Sequence, residues 1–275
     1  MLDKNIIKNE IIPYLTVGSG LELDLLEVVQ AIFYRLKTGC QWREMPTKQF
    51  ISRKGTTWNA IYHHYRNWCK NGCWKKVWLN IIKKYKMYLD LSCINLDGSL
   101  TRAFRGGESV KYNGRKKYKG TNLLFLIDNQ GVILFCSSPI SGNHHDLFNI
   151  KEYFGEILEL AKEAGIELNH LFLNADSGFD DTAFRQFLES KYIEGNIDFN
   201  TRNKKFASQR EEYFDEELYR KRKFCEHPFA WMDAYKALLI RYEKLDDTWL
   251  AMNLMGMIHI FFRKIRHHIK YNHNI

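Results

Sequence analysis

The chain has 275 residues, of which 45% are hydrophobic and 15% aromatic, with only four prolines. That composition excludes a disordered or low-complexity protein and supplies one large core, or a large one and a small one. A formal charge of +9 and a pI near 9.1 point to a polyanionic partner; an anionic membrane surface is the rival, but no basic amphipathic helix stands out to bind one.

The first 90 residues read as helical. Apolar side chains at 21, 25, 28, 29, 32, 33 and 36 form a helical stripe, and Gly39 suits its C-terminal stop. Beyond Pro46, Thr57 is placed to cap a helix that carries Trp58, Ile61, Tyr62 and Tyr65 on one face; "CWKKVWLNIIKKYKMYL" continues the pattern. Residues 1–90 therefore predict an all-α region in which two short helices around a turn have the form of a helix-turn-helix, a pairing too common to assign a role by itself, with the aromatic residues of 56–85 in a core rather than stacking on bases. Cys69 and Cys73, with His63 and His64 nearby, are zinc-ligand types. The second half of such a site is missing, and small buried thiols are the simpler reading.

The pattern then changes. Residues 92–97, 121–128 and 131–138 are apolar runs of strand length, the last two separated by a turn at Asn129 and Gln130. A helix over 145–165, a strand over 170–176, a helix over 181–190 and a short strand over 192–199 follow. Residues 200–217 are polar and charged, and the remainder is helical. Residues 91–275 thus predict an α/β domain, a mixed sheet flanked by helices in a ribonuclease-H-like arrangement.

Two strands end in Asp followed by a small residue, Asp97-Gly98 and Asp176-Ser177-Gly178. They are the first and fourth strands, neighbours in the predicted sheet. Two adjacent carboxylates repel, a divalent cation offsets the repulsion, and oxygen ligands select Mg2+ or Mn2+ over zinc. Glu226, in a later helix, is the candidate third acid. Spacing alone leaves the alternative open that both aspartates are turn residues. Asp128 sits in a plain "DNQG" turn and reads as structural, and Asp146 reads as the N-cap of the helix that follows it. His144 and His145 are candidates to orient a phosphate or a water.

Seven basic residues against one acid, Glu108, lie between Arg102 and Lys119. Arg102, Arg105, Arg115, Lys116, Lys117 and Lys119 read as a glycine-containing loop that tracks a DNA backbone, the alternative being a solvated basic face.

The segments "LDGSLTRAFRGGE", "YKGTNLLFLIDNQGVILF", "SPISGNHHDL", "LNADSGFDD" and "YRKRKFCEHPFAWMDAYKALLIRYE" resemble those of bacterial insertion-sequence DDE transposases of the insertion-sequence 4/5 superfamily. The amino-terminal "RLKTGCQWREMP" and "TTWNAIYHHYRNWCKNGCWKKV" are similar to that group's helical DNA-binding region. The family's Tyr-x2-Arg-x3-Glu signature stands as Tyr219, Arg222 and Glu226. The resemblance implies a triad of Asp97, Asp176 and Glu226 holding two Mg2+ ions, with Mn2+ as a substitute. It also implies cleavage and strand transfer of double-stranded DNA at terminal inverted repeats, and a homodimer on DNA. Tyr219 and Arg222 would contact DNA phosphates; a surface ion pair to Glu216 or Glu217 is the plainer alternative. Two departures stand out. Asp233 occupies a position that is usually basic, with Lys236 the nearest replacement, and Pro228 requires either a helix start or a kink near Glu226. A transposase-derived protein that only binds DNA, and a nuclease that cuts without joining, remain the rival readings. No run approaches the ~18 apolar residues of a membrane span. The six cysteines follow no secreted spacing and no signal peptide opens the chain, so the expectation is a cytoplasmic, nucleoid-associated protein with neither a membrane partner nor a small-molecule substrate.

Overall fold

Helical periodicity at the two ends of the chain and strand periodicity between them sort into two units. One comprises Met1–Lys84, Thr101–Glu108 and Trp231–Ile275; the other comprises Tyr85–Leu100 and Ser109–Ala230. The structure is a computed structural model that describes residues 2–16, 23–200 and 214–272. The start of the predicted stripe at Leu21 and residues 201–213 of the predicted polar segment lie outside the described residues.

In the helical unit, α1 (Leu25–Thr38) begins where the Asp24 carboxylate accepts from the Leu26 N–H and ends where Gly39 turns left-handed at φ +67°. α2 (Trp58–Lys70) and α3 (Cys73–Tyr85) follow, joined through Asn71 and Gly72. Tyr65, Trp68, Trp74 and Trp78 are buried, so these aromatics are core. The rest of that core comes from the far end of the chain. The Tyr65 hydroxyl donates to the carbonyl of Thr248 at 2.6 Å, and Arg66 meets Asp247 at 2.8 Å. Trp78 packs edge-on against Phe261. The C-terminal helices therefore complete the helical unit, whereas the sequence reading attached them to the sheet. Their buried Met252, Met255, Ile258, Phe261 and Phe262 need an apolar partner, which the aromatic faces of α2 and α3 supply, at about 1.5–3 kcal/mol per buried side chain. No helix among the described residues is long and apolar enough to cross a membrane.

In the other unit, β1 (Ile94–Arg102), β2 (Lys111–Asn113), β3 (Tyr118–Asp128), β4 (Ile133–Cys136), β5 (Ile140–Ser141), β6 (Phe172–Ala175) and β7 (Glu194–Ile197) form one sheet. Its order is β2-β3-β1-β6-β7, with β4 and β5 also paired to β3. β2, β4 and β5 run antiparallel to β3, while β6 runs parallel to both β1 and β7. An antiparallel meander extended by parallel strands on the far side of β1 is the ribonuclease-H-like order, and it makes the first and fourth predicted strands neighbours. α4 (Ile150–Glu163) and α5 (Thr182–Ser190) contribute the buried Phe154, Ile157, Phe184 and Leu188, with Phe154 edge-on to Phe184. Buried Asp128 closes its turn by accepting from the N–H groups of Asp90, Gln130 and Val132.

Three local expectations change. β1 does not stop at Asp97; it continues to Arg102, so Asp97 lies in mid-strand. The basic stretch is not one loop: Lys111–Gly120 is a hairpin of β2 and β3 in which Lys117 adopts positive φ, while Arg102 and Arg105 belong to the helical unit. The predicted C-terminal helix is also divided, into α6 (Glu216–Arg220), a 3-10 stretch over Lys221–Cys225, α7 (Glu226–Asp233), α8 (Lys236–Leu239) and α9 (Asp246–Asn272). Pro228 explains one break. It is the third residue of α7, where a missing N–H costs nothing, and Glu226 opens the helix as the first of the two sequence alternatives required.

Candidate active site

The site is built on a ladder of asparagines. Strand pairing sets Asn95 of β1 beside Asn174 of β6, and Asn174 beside Asn196 of β7. All three are buried. The Asn174 amide donates to Asn95 Oδ1 at 3.2 Å, and the Asn196 amide donates to Asn174 Oδ1 at 2.8 Å. The same amides also reach α6. Asn174 donates to the carbonyl of Leu218 at 3.1 Å, Asn196 donates to that of Asp215 at 3.0 Å, and the Asp215 N–H returns a bond to Asn196. Asp215 then caps α6 by accepting from the Leu218 N–H. A satisfied polar network of this kind is rigid, and it fixes the segment that carries Tyr219 and Arg222 against the sheet.

Two residues beyond the ladder, on the same strand faces, come Asp97 and Asp176. Arg222 Nη2 lies 3.2 Å from Asp97 Oδ2 and 3.9 Å from Asp176 Oδ2. One guanidinium thus serves two carboxylates from adjacent parallel strands. Asp97 also accepts from the Gly98 N–H at 2.9 Å, and Asp176 accepts from the Gly178 N–H at 2.9 Å as the cap of a 3-10 turn. Burial pushes the Asp97 carboxyl up to about 6; Arg222 and the Gly98 N–H oppose the rise, while the charges of Asp176 and Asp146 add to it. Burial likewise raises the Tyr219 hydroxyl, whose ring packs on Phe214.

Asp146 is not the helix cap that the sequence suggests. α4 starts at Ile150 behind Asn149, and the Asp146 carboxylate instead accepts from the Asn122 amide of β3 at 2.6 Å. Its carboxyl is raised by burial, opposed by the Asn122 bond and reinforced by the charge of Asp176. His144 stacks on Phe148, and His145 Nδ1 accepts from the Leu147 N–H, so both are engaged within their own turn. Arg220, not Arg222, makes the surface pair with Glu216.

Glu226 is exposed at the start of α7. The structure joins Asp97 and Asp176 through Arg222, but among the described residues no three His, Cys, Asp or Glu side chains stand as a metal-ligand group. Arg115, Lys116, Lys117 and Lys119 are exposed on the β2–β3 hairpin, and Arg102 lies over Phe104. What sequence reasoning missed was the asparagine ladder and the bond that turns Asp146 to Asn122 of the sheet. The ladder did leave a signal: Asn-x-Asp recurs as Asn95/Asp97, Asn174/Asp176 and Asn196/Asp198, each Asn in one of the three parallel strands and the last two aspartates just past the ends of β6 and β7.

Chemically, the arrangement is an oxygen-only donor set that already accommodates a cation, in the form of a guanidinium. Such a set fits a hard divalent ion. It contains no Ser/His or Cys/His pair for covalent catalysis.

Comparison with known proteins identifies the family. Residues 10–78 match the family described as "Putative transposase of IS4/5 family", and residues 89–261 match the transposase DDE domain, more than half of the chain. No curated protein matches. Among solved structures, a cryo-EM structure of the piggyBac transposase synaptic complex with hairpin DNA is 13% identical, with a TM-score of 0.47 over 94% of this chain and 71% of that one. The Mos1 transposase paired-end complex with left transposon end is 12% identical, with a TM-score of 0.28 over 88% and 79%. The Mos1 mariner paired end complex with Mn is 12% identical, with a TM-score of 0.29 over 92% and 82%. At those levels the structural likenesses carry no weight for function, and the family rests on the sequence matches.

Proposed function

The chain belongs to the transposase DDE-domain family, and on that premise we propose that it cuts DNA at the ends of an insertion sequence and joins the freed 3′ ends to a target. Asp97 and Asp176, with Glu226 as third acid, hold the divalent cations, Mg2+ in the cell and Mn2+ as a substitute. A bound cation supplies Lewis-acid stabilisation of the phosphoryl oxygens. The observation that carries the reading is the shared guanidinium: two aspartates from neighbouring strands face one positive charge in a site raised on a rigid polar ladder.

The remaining roles belong to the chain's own groups. Arg222 has donors in a planar fork, so it can pair with a phosphodiester as it pairs with the carboxylates in the free chain. Tyr219, on the preceding turn of chain, offers a hydroxyl to the same phosphate. Arg115, Lys116, Lys117 and Lys119 neutralise neighbouring phosphates from the hairpin, and Arg102 and Arg105 contact DNA from the helical unit. The helices of residues 10–78 recognise the terminal repeats. Two transposon ends require two such chains, hence a homodimer on DNA, acting in the cytoplasm where that DNA lies.

The test is a DNA assay with end-bearing substrate and Mg2+. The wild-type chain should nick the ends and, given pre-cut ends, produce joined strands; Asp97→Ala should do neither while still binding DNA. Cleavage by the Asp97→Ala variant would overturn the site. Cleavage without joined product would identify a nuclease instead.

A further inference from the structure

Asp146 has none of the roles a half-buried aspartate ordinarily fills. It caps no helix, because α4 begins behind Asn149. It closes no turn, because His145 accepts the Leu147 N–H. It belongs to no ion pair among the described residues. Its carboxylate is turned to the sheet and held by Asn122, a buried residue of β3 whose own Oδ1 has no partner. It also presses on the residue after Asp97: a Cβ at Gly98 would collide with Asp146 Oδ1. The position beside the first acid is therefore free of a side chain because a second carboxylate occupies the space.

We propose that Asp146 is a further carboxylate of the cation-binding face formed by Asp97 and Asp176, positioned for it by Asn122. The inference rests on the metal-dependent reading of the site. Three aspartates approach one another there; among the described residues the Arg222 guanidinium pairs with Asp97 and Asp176 but not with Asp146, which feels the charges of His145 and Arg115 without an ion pair to either. A buried anion left among like charges is costly unless a cation joins it. Arg222 shows that this face accepts one, and the unpaired Asn122 Oδ1 leaves a further oxygen acceptor buried behind it. As the chain stands the acids are arranged about Arg222 rather than as a ready ligand set. Asp146 adds negative charge and oxygen donors for an ion of higher charge than an arginine.

The experiment is calorimetric titration of the full chain with Mn2+ alone, without DNA, paired with thermal melting in EDTA. Asp97→Asn and Asp146→Asn should each weaken Mn2+ binding by about 10-fold or more. Asp146→Asn should melt in EDTA at or above the wild-type temperature, since the amide keeps an oxygen for Asn122 and removes a like charge. Gly98→Ala, which displaces the Asp146 carboxylate while keeping every acid, should weaken Mn2+ binding as well. Wild-type affinity in Asp146→Asn alongside a loss in Asp97→Asn would overturn the inference alone. Lost binding with a lower EDTA melting temperature would assign Asp146 a structural role and overturn it too. A wild-type chain that takes up no Mn2+ would overturn the metal reading and the inference together.

Discussion

Arg241 and Arg222 are both arginines that meet aspartate, one in the helical unit and one in the sheet unit. Arg241 is fully buried and closed: its donors reach the carbonyl of Glu243 at 2.9 Å, that of Lys244 at 3.5 Å and Asp246 Oδ1 at 2.7 Å. Arg222 is open: one nitrogen spans two aspartates at 3.2 and 3.9 Å, and its buried Nε has no partner. The first arrangement matches charge for charge and holds a fold together. The second leaves two carboxylates to one guanidinium, the imbalance on which the proposed cation site rests.

The largest effect expected from that contrast falls on chemistry. Asp176→Asn leaves the Arg222–Asp97 pair in place yet removes a carboxylate of the proposed cation site. Mg2+-dependent cleavage should fall on the order of 10³-fold, as befits several kcal/mol of transition-state stabilisation, with DNA affinity little changed in a gel-shift titration. Arg241→Met should act on the other side of the contrast. It removes the buried charge that meets Asp246 and the two carbonyls, so denaturant unfolding should show a loss of about 3 kcal/mol. A loss below about 1 kcal/mol would erase the distinction between closed and open arginines.

A pH series sharpens the comparison further. The folded-state carboxyl of Asp97 stands at about 6, above its ordinary ~3.9, so the folded chain binds a proton that the unfolded chain releases first. Its contribution to stability is full below about pH 4 and is lost as pH rises through 6. In EDTA, Asp97→Asn should therefore exceed wild type in stability by about 1–2 kcal/mol at pH 7.5, with the gap closing toward pH 4. A gap that persists at pH 4 would place the strain elsewhere. The smallest effect belongs to a closed aspartate in the sheet unit, Asp181, which caps α5 by accepting from the Phe184 N–H at 2.9 Å. Asp181→Ala should cost about 1 kcal/mol in denaturant unfolding and leave Mn2+ titration unchanged.

Much of the fold was legible because it rests on local signals. The left-handed Gly39, the helix after Thr57 and the apolar runs of β3 and β4 stand near their predicted places, since periodicity and caps act within a turn or two of chain. The extent of β1 was not legible. Asp97-Gly98 has the composition of a turn, and only the carboxylate of Asp146, 48 residues on, explains why glycine is needed within a strand there. Nor did the pattern assign α9, whose apolar face fits a sheet as well as a helical bundle until the aromatics of α2 and α3 claim it.

By itself the sequence determined the candidates: acids at the ends of apolar runs, a basic stretch after the first of them, and an Asn-x-Asp spacing that extended backbone puts on one face. Which of them meet was decided by tertiary structure alone. Asp97 finds Arg222 across 125 positions and Asp146 settles beside Gly98, because strand register and the asparagine ladder, not spacing along the chain, set the distances at which charges act.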